Sequence, residues 1–219
     1  MSTPTLCLDG MILAATAYPS GFSYSLFTSW RGAPRGGSTV FLWFLALPYL
    51  VVCPTVWGAH PALISLRGTT ALLVATALLM APLAFAIEYC IHAAALYVAS
   101  GTFPRWFAVH HFWRRRLSLG DHALLWMVVV GEEFVYRAIW FGVFHRSFGL
   151  SVPLALAASS LAYGINHLSF GWLSVLSKTA MGLCYGFLYL LSAECIWIPI
   201  LTHGLQNVAL FSLARERHV

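Results

Sequence analysis

Three short stretches of this chain place chemically active residue types at spacings that keep them together. Gly131-Glu132-Glu133-Phe134-Val135-Tyr136-Arg137 carries two adjacent carboxylates and an arginine four residues after the second. On a helix, positions four apart share a face, so Glu133 and Arg137 can pair while Glu132 points about 100° away. Tyr163 and His167 are again four apart, with Asn166 beside the histidine, and His203 and Asn207 repeat the spacing. A carboxylate held with an imidazole can bind and deprotonate a water, making it a nucleophile for an amide carbonyl. A second imidazole and an amide side chain can donate hydrogen bonds to the oxyanion that develops. A Glu133–Arg137 pair would neutralise one buried charge and leave Glu132 as the carboxylate free to act.

All three stretches sit in strongly apolar surroundings. The chain has 219 residues, of which 60% are hydrophobic and only 9% charged, and its mean hydropathy is +0.79. Soluble domains carry about 25% charged residues, so lipid must be the solvent here. An ionisable group at mid-membrane costs roughly 2.5–3.5 kcal/mol, which makes each such group a candidate for function. The pattern predicts an all-α, polytopic transmembrane bundle of about six spanning helices: 39–59, 69–98, 122–145, 152–172, 174–192 and 195–213. Residues 1–38 read as an interfacial or partly ordered segment. Residues 39–121 supply membrane helices and a basic loop, 122–213 hold the three motifs, and 214–219 form a tail. Small residues beside the polar groups (Gly131, Gly142, Gly164 and Gly204) would let helix backbones approach closely.

Loop charge orients the bundle. In the six-span arrangement Arg31, Arg35, Arg105, Arg114, Arg115, Arg116, Arg215 and Arg217 fall on one side, against Arg67 and Arg146 on the other. That bias places both termini in the cytoplasm. The basic connection 100–121, with Trp106, Phe112 and Trp113 among its charges, reads as an interfacial segment facing anionic lipid, not as a nucleic-acid surface. The N-terminus lacks a basic n-region, so insertion is expected to be directed by the first spanning helix. Cys7, Cys53, Cys90, Cys184 and Cys195 have neither the count nor the spacing of a disulfide framework or thiolate zinc site. Glu88 and His92 read as a helix-end pair at the interface, and Lys178 is expected to snorkel or to pair with an acidic neighbour.

The order Glu-Glu-x-x-x-Arg, aromatic-x-x-x-His, His-x-x-x-Asn over residues 122–213 resembles the CPBP family, the CAAX-protease and bacteriocin-processing (ABI) membrane proteins. The resemblance implies an intramembrane glutamic-type endopeptidase. In it Glu132 activates water with His167, His203 and Asn207 stabilise the oxyanion, and Glu133 and Arg137 support them. One departure is visible: the second motif usually starts with Phe, whereas this chain has Tyr163, whose added hydroxyl could hydrogen-bond within the site. The implied partners are a membrane-anchored protein or peptide substrate and membrane lipids, in what is expected to be a bacterial cytoplasmic membrane. No cofactor is expected, although two histidines and a glutamate are also a three-ligand set for zinc. A non-catalytic scaffold or immunity protein and a proton-coupled transporter stand as alternatives. The latter is disfavoured because the chain lacks inverted-repeat symmetry.

Overall fold

A computed structural model describes residues 3–29, 38–59, 69–103 and 117–213. Two short helices, α1 (Thr3–Ala15) and α2 (Pro19–Ser29), precede the long α3 (Ser38–Ala59) and α4 (Ala71–Ser100). Helix α5 (Leu119–Glu133) continues into wider π-helical turns at Phe134–Trp140 and Val143–Ser147. After α6 (Val152–Ile165) and a 3-10 turn (Leu168–Phe170) come α7 (Trp172–Leu191) and α8 (Trp197–Leu213). The described residues contain no strand.

Local chemistry sets several of these boundaries. Ser118 and Asp121 form a reciprocal capping box at the start of α5: the Asp121 carboxylate accepts from the Ser118 backbone N–H at 2.8 Å, and Ser118 Oγ accepts from the Asp121 N–H at 3.1 Å. Thr70 caps α4, which ends on Gly101 at φ 68°, where a left-handed turn returns its N–H to the Tyr97 carbonyl.

Polarity is distributed inside out. Leu72, Leu79, Val98 and Trp172 lie on exposed faces, whereas Glu88, Glu132, Glu133, Arg137, His203 and Gln206 are buried between helices. That is the arrangement of a helical membrane bundle. Thr39–Gly58, Ala71–Ser100 and Trp172–Leu191 are long and apolar enough to cross a membrane by length and composition. Contacts between helix ends show an alternating bundle. Thr39 Oγ1 donates to Asp121 at 2.5 Å where α3 and α5 begin, and Tyr18 meets Ser169 at 2.6 Å beside the α6–α7 turn. Arg146 and Glu194 pair at 2.7 Å across the α5–α6 and α7–α8 connections.

The expected helices 39–59, 69–98, 174–192 and 195–213 correspond to α3, α4, α7 and α8. Two expectations need correction. The 122–145 helix starts earlier, at Leu119, and changes pitch at Phe134. The 152–172 helix stops at Ile165, where Asn166 turns its side chain to α2 and α3 and the chain enters a 3-10 turn ended by Gly171 at φ 97°. A third correction concerns Glu88 and His92. Helix α4 runs on to Ser100, so they are not at its end, and Glu88 is buried against α7 and α8.

The region read as interfacial includes α1 and α2, which dock on the bundle: Trp140 Nε1 donates to Thr16 Oγ1 at 2.8 Å. Arg31, Arg35, Arg67, Arg105, Arg114, Arg115, Arg116, Arg215 and Arg217 lie outside the described residues, as do most of the basic connection and the 214–219 tail. All five cysteines are free thiols.

Candidate active site

The site begins where α5 changes pitch. Single π-type turns inside helices are frequent at functional positions because they rotate the side chains that follow. Just before the change, Gly131 lies against the Tyr49 ring of α3, and a Cβ there would collide with it. Glu133 turns fully inward. One carboxylate oxygen accepts from Arg137 Nε at 3.0 Å, and the other accepts from His203 Nδ1 at 2.8 Å. The Arg137 guanidinium also lies over the Tyr163 ring, 5.2 Å from its centroid, so α5, α6 and α8 are joined through this one carboxylate and its partners.

Helix α8 presents His203, Gln206 and Asn207 on one face, and Gly204 brings its backbone against Trp126 of α5. With Nδ1 engaged on Glu133, His203 directs Nε2 towards Asn207 Nδ2 at 3.2 Å and the Tyr163 hydroxyl at 3.3 Å. The hydroxyl that distinguishes Tyr163 from the expected Phe therefore does reach into the site.

His167 lies just beyond the end of α6. Its ring is fixed by an Nδ1–H donated to the Tyr163 carbonyl at 2.9 Å, which turns Nε2 towards Glu132. The Glu132 carboxylate then lies between two imidazoles, 3.6 Å from His167 Nε2 and 3.8 Å from His203 Nε2. Glu133 and Arg137 pair with each other and Glu88 pairs with Lys178 at 2.7 Å. Among the described residues, Glu132 is thus the one buried carboxylate of this cluster with neither an arginine nor a lysine in an ion pair with it. Glu132, Glu133, Arg137, Tyr163, His167, His203 and Asn207 all converge here.

Other participants were not anticipated. Sequence spacing gave Glu133 to Arg137 alone, whereas its second oxygen orients His203. Asn166 accepts from the Ser20 N–H at 2.9 Å and donates to Ser20 Oγ at 2.8 Å and to the Tyr49 hydroxyl at 3.2 Å. These bonds tie the chain beside His167 to α2 and α3. Tyr185 stacks on His203, and Gln206 bonds Glu88. Gln206 had a legible signal, since it is three residues after His203 and shares its face; Tyr49 had none. The expected acidic partner of Lys178 is Glu88.

Each imidazole is anchored through Nδ1 and offers Nε2 to Glu132, an orientation common to water-binding and metal-binding histidines. Among the described residues no group of three His, Cys, Asp or Glu side chains is gathered closely enough to hold an ion as it stands.

Comparison with known proteins gives one match. Residues 121–209 match the family model described as type II CAAX prenyl endopeptidase Rce1-like. No curated protein and no solved structure matches the chain. The matched segment contains all three motifs and nearly all of α5–α8, and the match supports an intramembrane endopeptidase in general terms.

Proposed function

Because residues 121–209 match the model of the Rce1-like family of type II CAAX prenyl endopeptidases, we propose that this chain is a glutamic-type intramembrane endopeptidase. Glu132 is the general base. The observation that carries this reading is the position of its carboxylate, flanked at 3.6 and 3.8 Å by two imidazoles whose other nitrogens are already engaged. A separation of 3.6 Å lets one water lie within about 2.8 Å of both Glu132 and His167, ordinary hydrogen-bond lengths.

Glu132 takes a proton from that water while His167 Nε2 orients it, and the hydroxide adds to the scissile carbonyl carbon. The carbonyl oxygen becomes an oxyanion, which His203 Nε2–H and the Asn207 amide stabilise. His203 must then be an imidazolium, and the Glu133 carboxylate at Nδ1 balances that charge. Collapse of the tetrahedral intermediate breaks the C–N bond, and Glu132 returns its proton to the departing amine.

The bundle crosses the membrane six times, with both termini cytoplasmic and without a required cofactor. The substrate is a membrane-anchored protein or peptide cut near its anchor: a CAAX-like prenylated end, a leader peptide or a C-terminal anchor. The testing experiment is Glu132→Gln in purified protein with a membrane-anchored peptide, products read by mass spectrometry. Cleavage should disappear while the protein still accumulates; cleavage at the original rate excludes Glu132 as the base.

A zinc-dependent version of the same hydrolysis is favoured by one observation, the Nε2 presentation of both histidines to a carboxylate. Metal analysis of active protein separates the two readings. The metal-free reading requires full turnover without stoichiometric zinc and after chelation.

A further inference from the structure

Behind the imidazole of His203 lies a second chain of buried polar groups that begins on α4, outside the segment matched by the family model. Lys178 Nζ pairs with one Glu88 oxygen at 2.7 Å, and the other Glu88 oxygen accepts from Gln206 Nε2 at 2.6 Å. The Gln206 carbonyl accepts from the Tyr185 hydroxyl. The Tyr185 ring lies almost parallel to the His203 imidazole, with centroids 4.7 Å apart and an interplanar angle of 18°. Glu88, Tyr185 and Gln206 are all buried.

We propose that Glu88, Gln206 and Tyr185 are positioning residues that fix the plane of His203 for the oxyanion role assigned to it above, a role on which this inference rests. The chain has a fixed direction. A carboxylate paired with Lys178 can only accept, so Gln206 must turn its NH₂ to Glu88 and its carbonyl to Tyr185. Tyr185 must in turn donate, and because a phenol O–H prefers the plane of its ring, a fixed acceptor favours one ring rotation. Glu133 holds the His203 ring at Nδ1, and Asn207 and Tyr163 meet its other edge at Nε2; these edge contacts leave the ring able to tilt out of its plane. Tyr185, stacked on its face, removes that freedom. Nε2 is thereby aimed at one point, which an oxyanion donor needs in order to act without reorganisation.

If these groups only glue α4, α7 and α8 together, removing them lowers stability and leaves turnover alone. The test measures kcat, KM and thermal midpoint in detergent for Tyr185→Phe, Gln206→Met and their double variant, with Glu132→Gln as control. Misplacement by about 1 Å can cost about a hundredfold in rate. Tyr185→Phe keeps the stack and should lower kcat about tenfold; Gln206→Met should match it, both with KM unchanged. The double variant should be no worse than either single, because both changes free the same ring. Tyr185→Leu, which also loses the stack, should fall about a hundredfold. Values of kcat within twofold of the parent, or a double variant whose losses multiply, overturn the positioning role. Full activity in Glu132→Gln would instead overturn the hydrolytic reading itself.

Discussion

Glu133 makes two contacts, one proposed to be structural and one catalytic, that a pair of substitutions can separate. Its carboxylate is fully buried, with Arg137 Nε on one oxygen at 3.0 Å and His203 Nδ1 on the other at 2.8 Å. Among the described residues the two terminal nitrogens of Arg137 have no hydrogen-bond partner, so Glu133→Gln leaves a buried guanidinium without its counter-charge. Breaking a buried pair by removing one member costs about 3–5 kcal/mol, a large share of the roughly 5–15 kcal/mol that separates folded from unfolded protein. The single variant should therefore accumulate poorly and melt early. Adding Arg137→Met removes the orphaned cation, and replacing both members of such a pair by uncharged groups is often neutral. Thermal midpoint and yield should return towards the parent. Turnover should not, because the charge that balances His203 is still missing; kcat should stay down about a hundredfold in both variants. The assay is cleavage of a membrane-anchored peptide in nanodiscs beside a thermal melt of the same sample. If the double variant recovers turnover as well as stability, Glu133 is only the counter-ion of Arg137 and the 2.8 Å contact has no catalytic meaning.

Asn207→Ala removes one proposed oxyanion donor and should lower kcat by about 10²–10³ with little change in KM, read from initial rates over a substrate series. Tyr163→Phe should cost less than about tenfold in kcat, since its hydroxyl is 3.3 Å from His203 and the backbone carbonyl that orients His167 is retained. Reporter fusions at Val219 and in the 147–151 connection should lie on opposite sides of the membrane; the same side for both would sink the six-crossing arrangement.

Much of the site was legible because its spacings are short. The pairs Glu133–Arg137, Tyr163–His167 and His203–Asn207 are each four residues apart, and helical geometry carries such pairs onto one face wherever the helix lies. Burial of Glu88 was not legible, because a polar residue within an apolar run can face a partner or a headgroup equally well until its neighbours are known. Its partners, Lys178 and Gln206, are on helices 90 and 118 positions further along. The change of pitch at Phe134 was invisible for a related reason: nothing in Phe134-Val135-Tyr136 disfavours an ordinary α-helix, so its cause lies in packing. The end of α6 is set by Asn166, whose bonds to Ser20 and Tyr49 span 146 and 117 residues. Local pattern therefore revealed which groups lie together, and long-range contacts decided how they are aimed.

The close seam between α6 and α7 has a consequence for genetics. A Cβ on Gly164 would strike the Thr179 side chain and approach the Val175 carbonyl to 2.7 Å, and one on Gly182 would press on Ser160 at 3.0 Å. Backbone cannot yield as a flexible side chain does, so even alanine at Gly164 would drive the two helices apart. Tyr163 and His167 would move with one helix, and Lys178 and Tyr185 with the other. An unbiased screen for inactive alleles should therefore return Gly164 and Gly182 beside Glu132 and His203. Those glycine alleles should not be rescued by any change in substrate, because they alter the spacing of the frame and displace reactive side chains whose identities are unchanged.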